Sequence, residues 1–436
     1  MQPRQIPEAK RVVITVHGVR TNGRWQKSVT PLLNVEQLIS YPHDYKRFGV
    51  IRGRFEYFRQ QEIERFREEY ERVVNNKAFG LAPEDPTRRP SVVAHSFGTY
   101  IVTECMRQHS FVRLDKLLLC GSIVSPQFDW SELFAGDQIN FVRNLRCMKD
   151  WVVPRARWMA PKAGPSGVKG FTYWGTLLND YKMGDCRHSG FFSEADVKEH
   201  WLRFLARRPS EFRIMQSRDI ESDATLEDVL SQCRAIDSEV YKNLPGYTEQ
   251  ALKPGQSKGW LEINRDIYTF LLARPEDTAV GYVNAMPITE ECFQDIVYHK
   301  KADNEVVPRD VVDYSPGSTP ALYLMSMAVD PGYKKTSRGL DSEPVERLTN
   351  GIVAKLLHYA IQKEVRISKL AAVGWTDIGQ KLCKRFQMEP TGTTDRDGHP
   401  IFVIDFLKAA SRPESVRHPG VQRLLKEYAS IAQRQS

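Results

Sequence analysis

One short segment limits most strongly what this chain can fold into. In the string VVAHSFG at residues 92–98, an apolar run ends abruptly at a serine, Ser96, and a helix-like sequence follows at once. Ala94 and Gly98, two residues before and two after that serine, are small, as a sharp turn between a strand and a helix requires. The sequence therefore predicts a strand–turn–helix unit with Ser96 in a strained backbone conformation at the turn.

The rest of the first half alternates between strand-like and helix-like segments. The predicted strands read as continuous apolar runs without alternating polar residues, which is typical of parallel sheets covered on both faces. We therefore predict an α/β domain built on a parallel sheet. Its strands are Val12–Val16, Ser91–Ala94, Leu117–Cys120 and Phe141–Met148, and its helices include Trp25–Leu38 and Val197–Leu205.

The pattern changes near Arg207–Ser210, so we predict one domain over residues 1–207 and a second over 211–436. In the second half, a strand hairpin is followed by only two further units in which a strand leads into a helix. This pattern favours an α+β arrangement. Its predicted strands are Phe212–Met215, Tyr268–Ala273, Val280–Ala285, Leu322–Val329, Leu370–Trp375 and Ile401–Ile404, and its helices include Leu226–Tyr241 and a segment around residues 345–360. Only the chain ends read as disordered.

Composition excludes several classes of protein. The net charge of +8 is dispersed, and the densest charged run, residues 54–77, mixes both signs on a helix-like pattern, so no nucleic-acid partner is expected. There is no secretory signal and no apolar run long enough to span a bilayer. The seven cysteines are scattered without a CxxC pair, which predicts reduced thiols and a cytoplasmic location.

Residues 10–207 resemble the α/β-hydrolase superfamily on the strength of the serine turn and of the string VVITVHG at 12–18. The resemblance implies that Ser96 is a nucleophile. It also implies an oxyanion hole formed by the backbone N–H of Phe97 and by a second donor from the loop after the first strand, for which Gly18 and Val19 are the candidates.

In this superfamily the triad follows the chain order serine, acid, histidine. Asp150, in NLRCMKDWVVP, resembles the acid segment, with Asp129 and Asp137 as rivals. His188, in DCRHSGFF, resembles the histidine loop, whereas His200 falls in the middle of a predicted helix and is expected to pack there. The acid would fix the imidazole tautomer and the histidine would act as general base.

Residues 211–410 resemble the GNAT acyltransferase fold in the order of their strands and helices. The family's loop for the acetyl-CoA pyrophosphate would fall in GYKKTSRGLD at 332–341, with Gly339 as its first glycine. Here Thr336 replaces the usual Arg or Gln, Asp341 puts a negative charge where phosphate would lie, and Cys383 stands in place of an acid tyrosine. These departures argue against acetyl transfer and favour a sensing or packing role.

Together these patterns predict a serine hydrolase that cleaves an ester or thioester through an acyl-Ser96 intermediate. It would act on a small-molecule or acyl substrate and need no cofactor. Two alternatives remain open: a bifunctional hydrolase and N-acetyltransferase that uses acetyl-CoA, and a binding module made of two degenerate enzyme folds. The sequence does not distinguish lipase, thioesterase, esterase and amidase, and it does not indicate an oligomeric state.

Overall fold

The computed structural model describes residues 10–18, 24–43, 54–158, 160, 162–173, 175, 177–183, 186–244, 246–247, 255–274, 276–333, 343–416 and 418–435. The chain divides into two compact units, Met1–Glu211 and Phe212–Ser436. Within the described ranges, no helix is both long and apolar enough to cross a bilayer.

The first unit contains a six-stranded sheet in the order β2-β1-β3-β4-β5-β6, and all its described pairings are parallel. The strands are β1 Arg11–Val16, β2 Leu38–His43, β3 Ser91–His95, β4 Leu114–Cys120, β5 Ile139–Arg146 and β6 Leu178–Lys182. The predicted fold class, an α/β domain on a parallel sheet, is confirmed. Parallel strands end at the same edge of a sheet, so the segments that follow β3, β5 and β6 meet there.

Helices cover both faces of this sheet, which explains why its inner strands read as continuous apolar runs. In β1, Ile14 packs with a core cluster that includes Phe66 and Ile101, while the next residue back, Val13, packs with Val29 on the opposite face. The helices are α1 Arg24–Val35, α2 Glu56–Val74, α3 Phe97–Gln108 and α4 Trp130–Ala135, and a π-helical stretch, Val197–Leu202, continues into Arg203–Leu205.

The second unit is built on a seven-stranded mixed sheet in the order β12-β13-β11-β10-β9-β8-β7. Its strands are β7 Phe212–Gln216, β8 Tyr268–Ala273, β9 Thr278–Ile288, β10 Ala321–Val329, β11 Lys369–Val373, β12 Glu389–Thr394 and β13 Pro400–Asp405. Its longer helices are α5 Asp223–Tyr241, α6 Gln256–Ile263, α7 Glu290–Val297, α8 Glu343–Lys363, α9 Asp377–Arg385 and α10 Pro419–Gln435. The predicted α+β class is confirmed, because β10 and β11 pair in parallel and the other described neighbours are antiparallel.

Two local predictions are wrong. The helix predicted over Trp25–Leu38 ends at Val35, because Leu38 already belongs to β2. The C-terminal end is not disordered: α10 buries Leu425 and Ile431 against the core of the second unit, and this burial holds the last turns of the chain.

Candidate active site

The turn at Ser96 has the geometry that the sequence predicts. β3 ends at His95 and α3 begins at Phe97, and Ser96 between them has φ 54° and ψ −123°. This backbone conformation is strained for a residue with a side chain and costs on the order of 1–3 kcal/mol. The Ser96 N–H donates to the Cys120 carbonyl at 3.0 Å, and its own carbonyl accepts from the Thr99 hydroxyl at 2.6 Å, so neighbouring elements hold it in place.

Two glycines make room for this turn. A Cβ on Gly98 would lie 2.8 Å from the carbonyl oxygen of His17 and 2.9 Å from that of Val16, where no side chain fits. A Cβ on Gly18 would lie 2.7 Å from Cβ of Ser96. The loop after β1 therefore passes directly against the serine, as the predicted oxyanion-hole loop must.

The structure brings Ser96, His188 and Asp150 into one hydrogen-bonded chain. Nε2 of His188 lies 2.9 Å from Oγ of Ser96, and Nδ1 of His188 lies 2.7 Å from Oδ2 of Asp150. Each residue follows a strand of the parallel sheet: Ser96 follows β3, Asp150 follows β5 and His188 follows β6. Since these strands end at one edge, residues 92 positions apart in sequence come within hydrogen-bonding distance.

Asp150 is positioned to stay ionised beside the imidazole. Its Oδ1 accepts from the backbone N–H groups of Val152 at 2.9 Å and Val153 at 3.2 Å, which fixes the carboxylate. Burial by itself would raise the pKa of Asp150, but the hydrogen bond and charge of His188, with these N–H groups, lower it overall. An ionised acid accepts the Nδ1–H of His188, so the Nε2 lone pair faces the serine hydroxyl.

A second histidine, His95, holds the loop that carries His188. His95 is fully buried, and burial together with the nearby His188 lowers the pKa of His95 to about 3. The ring is therefore neutral at physiological pH, and its Nε2–H donates to the His188 carbonyl at 2.9 Å. His95 fixes the backbone of the histidine loop and is a positioning residue.

The rival candidates are engaged elsewhere. Asp129 accepts a hydrogen bond from the backbone N–H of Ser131 at 3.1 Å, as the N-cap of α4. Asp137 forms an ion pair with Arg89 at 2.6 Å. His200 is buried in the π-helical stretch, as the packing interpretation expected, with its ring centroid 4.7 Å from that of Tyr181.

The structure describes two of the three predicted oxyanion-hole residues, Phe97 and Gly18. Phe97 is the first residue of α3, where backbone N–H groups and the helix dipole favour a developing negative charge. Gly18 lies against Ser96, as described above. Val19 lies outside the described residues, as does Gly339, the predicted phosphate-loop glycine of the second unit.

A disulfide joins the two segments that carry the acid and the base. Cys147 and Cys186 are bonded with their Cα atoms 5.2 Å apart, and they lie three residues before Asp150 and two before His188. The prediction of reduced thiols is wrong for this pair. The remaining cysteines, Cys105, Cys120, Cys233, Cys292 and Cys383, are buried and unbonded. The similar offsets of Cys147 and Cys186 from the two triad residues were the sequence signal for the pairing.

Breaking this disulfide is expected to destabilise the first unit. The bond closes a loop with a sequence separation of 39 residues, for which the chain-entropy relation gives about 4 kcal/mol. A reducing agent should therefore lower the melting temperature of the wild-type chain but not that of the Cys147→Ala/Cys186→Ala variant. Cys383→Ala serves as the control and should respond to the reducing agent as the wild type does. Two free thiols in the untreated chain at these positions would contradict the pairing.

No protein-family model matches the chain, and no curated protein matches it. Solved structures similar to it include an uncharacterized protein from Bacillus cereus, with 12% identity over 48% of this chain and 64% of that chain and a TM-score of 0.31. A cold-adapted esterase from an Arctic intertidal metagenomic library matches with 14% identity over 47% and 83% of the two chains and a TM-score of 0.31. A mosquito arylalkylamine N-acetyltransferase-like protein matches with 12% identity over 44% and 99% and a TM-score of 0.29. The chain spans less than two thirds of the first of these. Because all three scores are low, the assignment of function rests on the geometry of the site.

The second unit contains a cavity of about 530 Å³. β10 and β11 pair only from Leu322 to Leu324 and then diverge, and the cavity lies between the diverging strands. Two carboxyl groups line it. Asp237 accepts hydrogen bonds from Tyr282 and Ser326, and Asp303 accepts one from Tyr323. The wall is otherwise mostly apolar or aromatic and includes Tyr241, Met325, Trp375 and Cys383.

Burial raises the pKa of Asp303 to about 7, and the negative charges of Asp395 and Asp237 act in the same direction. The folded chain therefore binds a proton at Asp303 that the unfolded chain, with an ordinary carboxyl pKa near 4, has already lost. The free energy of unfolding consequently falls as the pH rises from about 4 to about 7.

Asp303→Asn is expected to remove this dependence and to stabilise the second unit at pH 8 by a few kcal/mol, with little change at pH 4. Urea unfolding of the full chain at both pH values measures the difference. Asp313→Asn, at an exposed carboxyl, is the control and should change neither value. An equal effect of Asp303→Asn at both pH values would show that the carboxyl does not titrate in this range.

Proposed function

We propose that the first unit is a serine hydrolase that cleaves esters or thioesters through an acyl-Ser96 intermediate. The observation that carries the proposal is the chain of hydrogen bonds from Ser96 through His188 to Asp150 at a strained strand–helix turn. A buried serine hydroxyl held 2.9 Å from an imidazole that is itself oriented by a carboxylate fits nucleophilic catalysis better than it fits a structural role.

In the proposed reaction, Nε2 of His188 takes the hydroxyl proton as Oγ of Ser96 bonds to the substrate carbonyl carbon. The carbonyl oxygen becomes an oxyanion beside Gly18 and the N-terminus of α3. The tetrahedral intermediate then releases the alcohol or thiol, which receives the proton from His188. Water, deprotonated in turn by His188, then bonds to the acyl carbon. The second tetrahedral intermediate releases the carboxylic acid as its bond to Oγ of Ser96 breaks, and His188 returns the proton to that oxygen. No step calls for a cofactor.

The experiment that tests the acyl-enzyme is partitioning between water and added methanol. An oxygen ester and a thioester with the same short acyl group are hydrolysed in parallel. A common acyl-Ser96 intermediate requires the same ratio of acid to methyl ester from both substrates. A ratio that changes with the leaving group, or no hydrolysis of either substrate, would contradict the proposal.

For the second unit we propose binding of a small molecule without acetyl transfer. Its mostly apolar cavity with a few polar groups is of the size that small ligands occupy. Cys383 lines the cavity at the position where the GNAT resemblance implies an acid tyrosine, so that position lacks a phenol proton donor, although other tyrosines, Tyr241 among them, line the wall. A bifunctional hydrolase and N-acetyltransferase would have to bind acetyl-CoA and would also need the proton donor that the acid tyrosine supplies.

Acetyl-CoA is therefore expected to bind weakly or not at all. Asp341 places a negative charge in the segment that would hold the pyrophosphate, and a close like-charge pair costs about 1–4 kcal/mol, which is up to nearly a thousandfold in affinity. Calorimetric titration of acetyl-CoA into the full chain measures this. The matched variant Asp341→Gly should bind more tightly than the wild type. A dissociation constant in the low micromolar range for the wild type would make the bifunctional enzyme the better interpretation.

The prediction of a cytoplasmic location rested on reduced cysteines, and the Cys147–Cys186 bond removes that support for two of the seven. Stable disulfides are rare in reducing compartments. The location stays a prediction, and the redox state of this pair in the isolated protein is the observation that bears on it.

A further inference from the structure

The segment around the triad acid, residues 148–158, exposes large apolar side chains to solvent. Trp158 is 77% exposed, Trp151 is 64% exposed and Met148 is 48% exposed, within 11 consecutive residues. A group of exposed large apolar side chains marks a surface that something else covers.

The local fold holds these side chains outward. A short helical stretch, Val153–Trp158, buries Val153 and Ala156 and leaves its remaining residues exposed or half-buried. Its beginning is fixed by the carboxylate of Asp150, which accepts the backbone N–H groups of Val152 and Val153. The exposed face is thus attached rigidly to the triad.

The charge of this face is positive. The guanidinium of Arg155 lies 5.4 Å from the ring centroid of Trp151, and Arg157 and Lys162 are exposed beside it. In the described part of the chain, none of these three cations pairs with a carboxylate. The acid nearest in sequence, Asp150, is buried and occupied by His188.

We propose that this face, comprising Met148, Trp151, Arg155, Arg157, Trp158 and Lys162, docks on the surface of an anionic lipid bilayer. Tryptophan side chains are favoured at the boundary between headgroups and hydrocarbon, and arginine and lysine beside them attract anionic headgroups. A face that is aromatic and basic, and that carries no unpaired acid among its described residues, is complementary to that surface in both respects. Docking needs no transmembrane helix, since the side chains enter only the interfacial layer.

Docking would also define the substrate class. The face lies on both sides of Asp150 in sequence, from Met148 to Lys162, so a lipid surface bound there would lie next to Ser96 and His188. The inference, which for catalysis rests on the proposed hydrolase function, is that the acyl groups cleaved belong to lipids presented at a negatively charged surface.

Co-sedimentation of the full chain with vesicles tests the docking. Vesicles that contain phosphatidylglycerol should bind the chain, and vesicles of phosphatidylcholine alone should bind it at least tenfold more weakly. Each basic side chain near an anionic surface contributes roughly fivefold to binding, and an inserted tryptophan adds to this, so Arg157→Gln/Trp158→Ser should weaken binding by about tenfold or more. The matched control Arg54→Gln/Tyr57→Ser removes an exposed cation and a 68%-exposed aromatic from another element and should bind as the wild type does.

Activity measurements keep the two proposals distinguishable. Arg157→Gln/Trp158→Ser should hydrolyse a soluble short-chain ester at the wild-type rate but lose activity on the same acyl group in anionic vesicles. Ser96→Ala should bind vesicles normally while hydrolysing neither substrate. Equal binding to both kinds of vesicle, equal weakening by the control pair, or binding only to an acidic polypeptide would overturn the docking proposal. Vesicle binding without any hydrolysis would overturn the hydrolase alone.

Discussion

Replacing Ser96 with alanine is expected to lower kcat for a short activated ester by about 10⁴- to 10⁶-fold. The methyl group of alanine is smaller than the serine side chain, and the turn is held by backbone hydrogen bonds of residue 96, so the fold should persist. Steady-state hydrolysis and the circular dichroism spectrum of the same sample separate loss of the nucleophile from loss of structure.

Ser189→Ala is the matched control, because Ser189 is an exposed serine next to His188 in sequence. It should retain wild-type activity. Residual activity of Ser96→Ala within tenfold of the wild type, or a large loss in Ser189→Ala, would show that Ser96 is not the nucleophile.

Asp150→Asn is expected to lower kcat by about 10⁴-fold with little change in the geometry of the site. Asparagine can still accept the N–H groups of Val152 and Val153 through its carbonyl oxygen, but its amide then faces Nδ1 of His188. An amide donor there favours the tautomer that carries the proton on Nε2, which leaves no lone pair for the hydroxyl of Ser96.

The two rival acids provide the comparison for this variant. Asp129→Asn and Asp137→Asn should leave kcat near the wild-type value, since the first caps α4 and the second pairs with Arg89. If Asp129→Asn were damaging and Asp150→Asn silent, the assignment of the acid would be wrong. Asp137→Asn should keep normal activity even if loss of the ion pair with Arg89 lowers its thermal stability.

The active-site geometry could be anticipated from the sequence because its requirements are local. A nucleophile at a strand–helix turn needs small neighbours, and Ala94 and Gly98 show this directly in the string around Ser96. The order of the triad residues then limits the choice of acid and base. The position of His95, directly before Ser96, indicates a structural neighbour of the site, but its hydrogen bond to the carbonyl of His188 could not be read in this way, because the two residues are 93 positions apart in sequence.

Three strands were missed, β2, β6 and β12, and each lies at the edge of its sheet. Edge strands are half-exposed and carry polar residues, so their sequences lack the apolar runs that mark the inner strands. The strand LNDYK of β6 buries only Leu178, and EPTGTT of β12 buries none of its residues. The inner strands were recognisable because both of their faces are covered.

The most direct test of an acyl-serine mechanism is covalent labelling with a fluorophosphonate, which reacts with a serine hydroxyl only where a base and an oxyanion hole activate it. Intact-mass and peptide mass spectrometry locate the label. We expect a single adduct on the peptide that contains Ser96, abolished in Ser96→Ala and strongly slowed in His188→Ala, with Ser189→Ala labelled as the wild type is. An unmodified Ser96 in a folded chain, or a label at another serine that persists in Ser96→Ala, would contradict that mechanism.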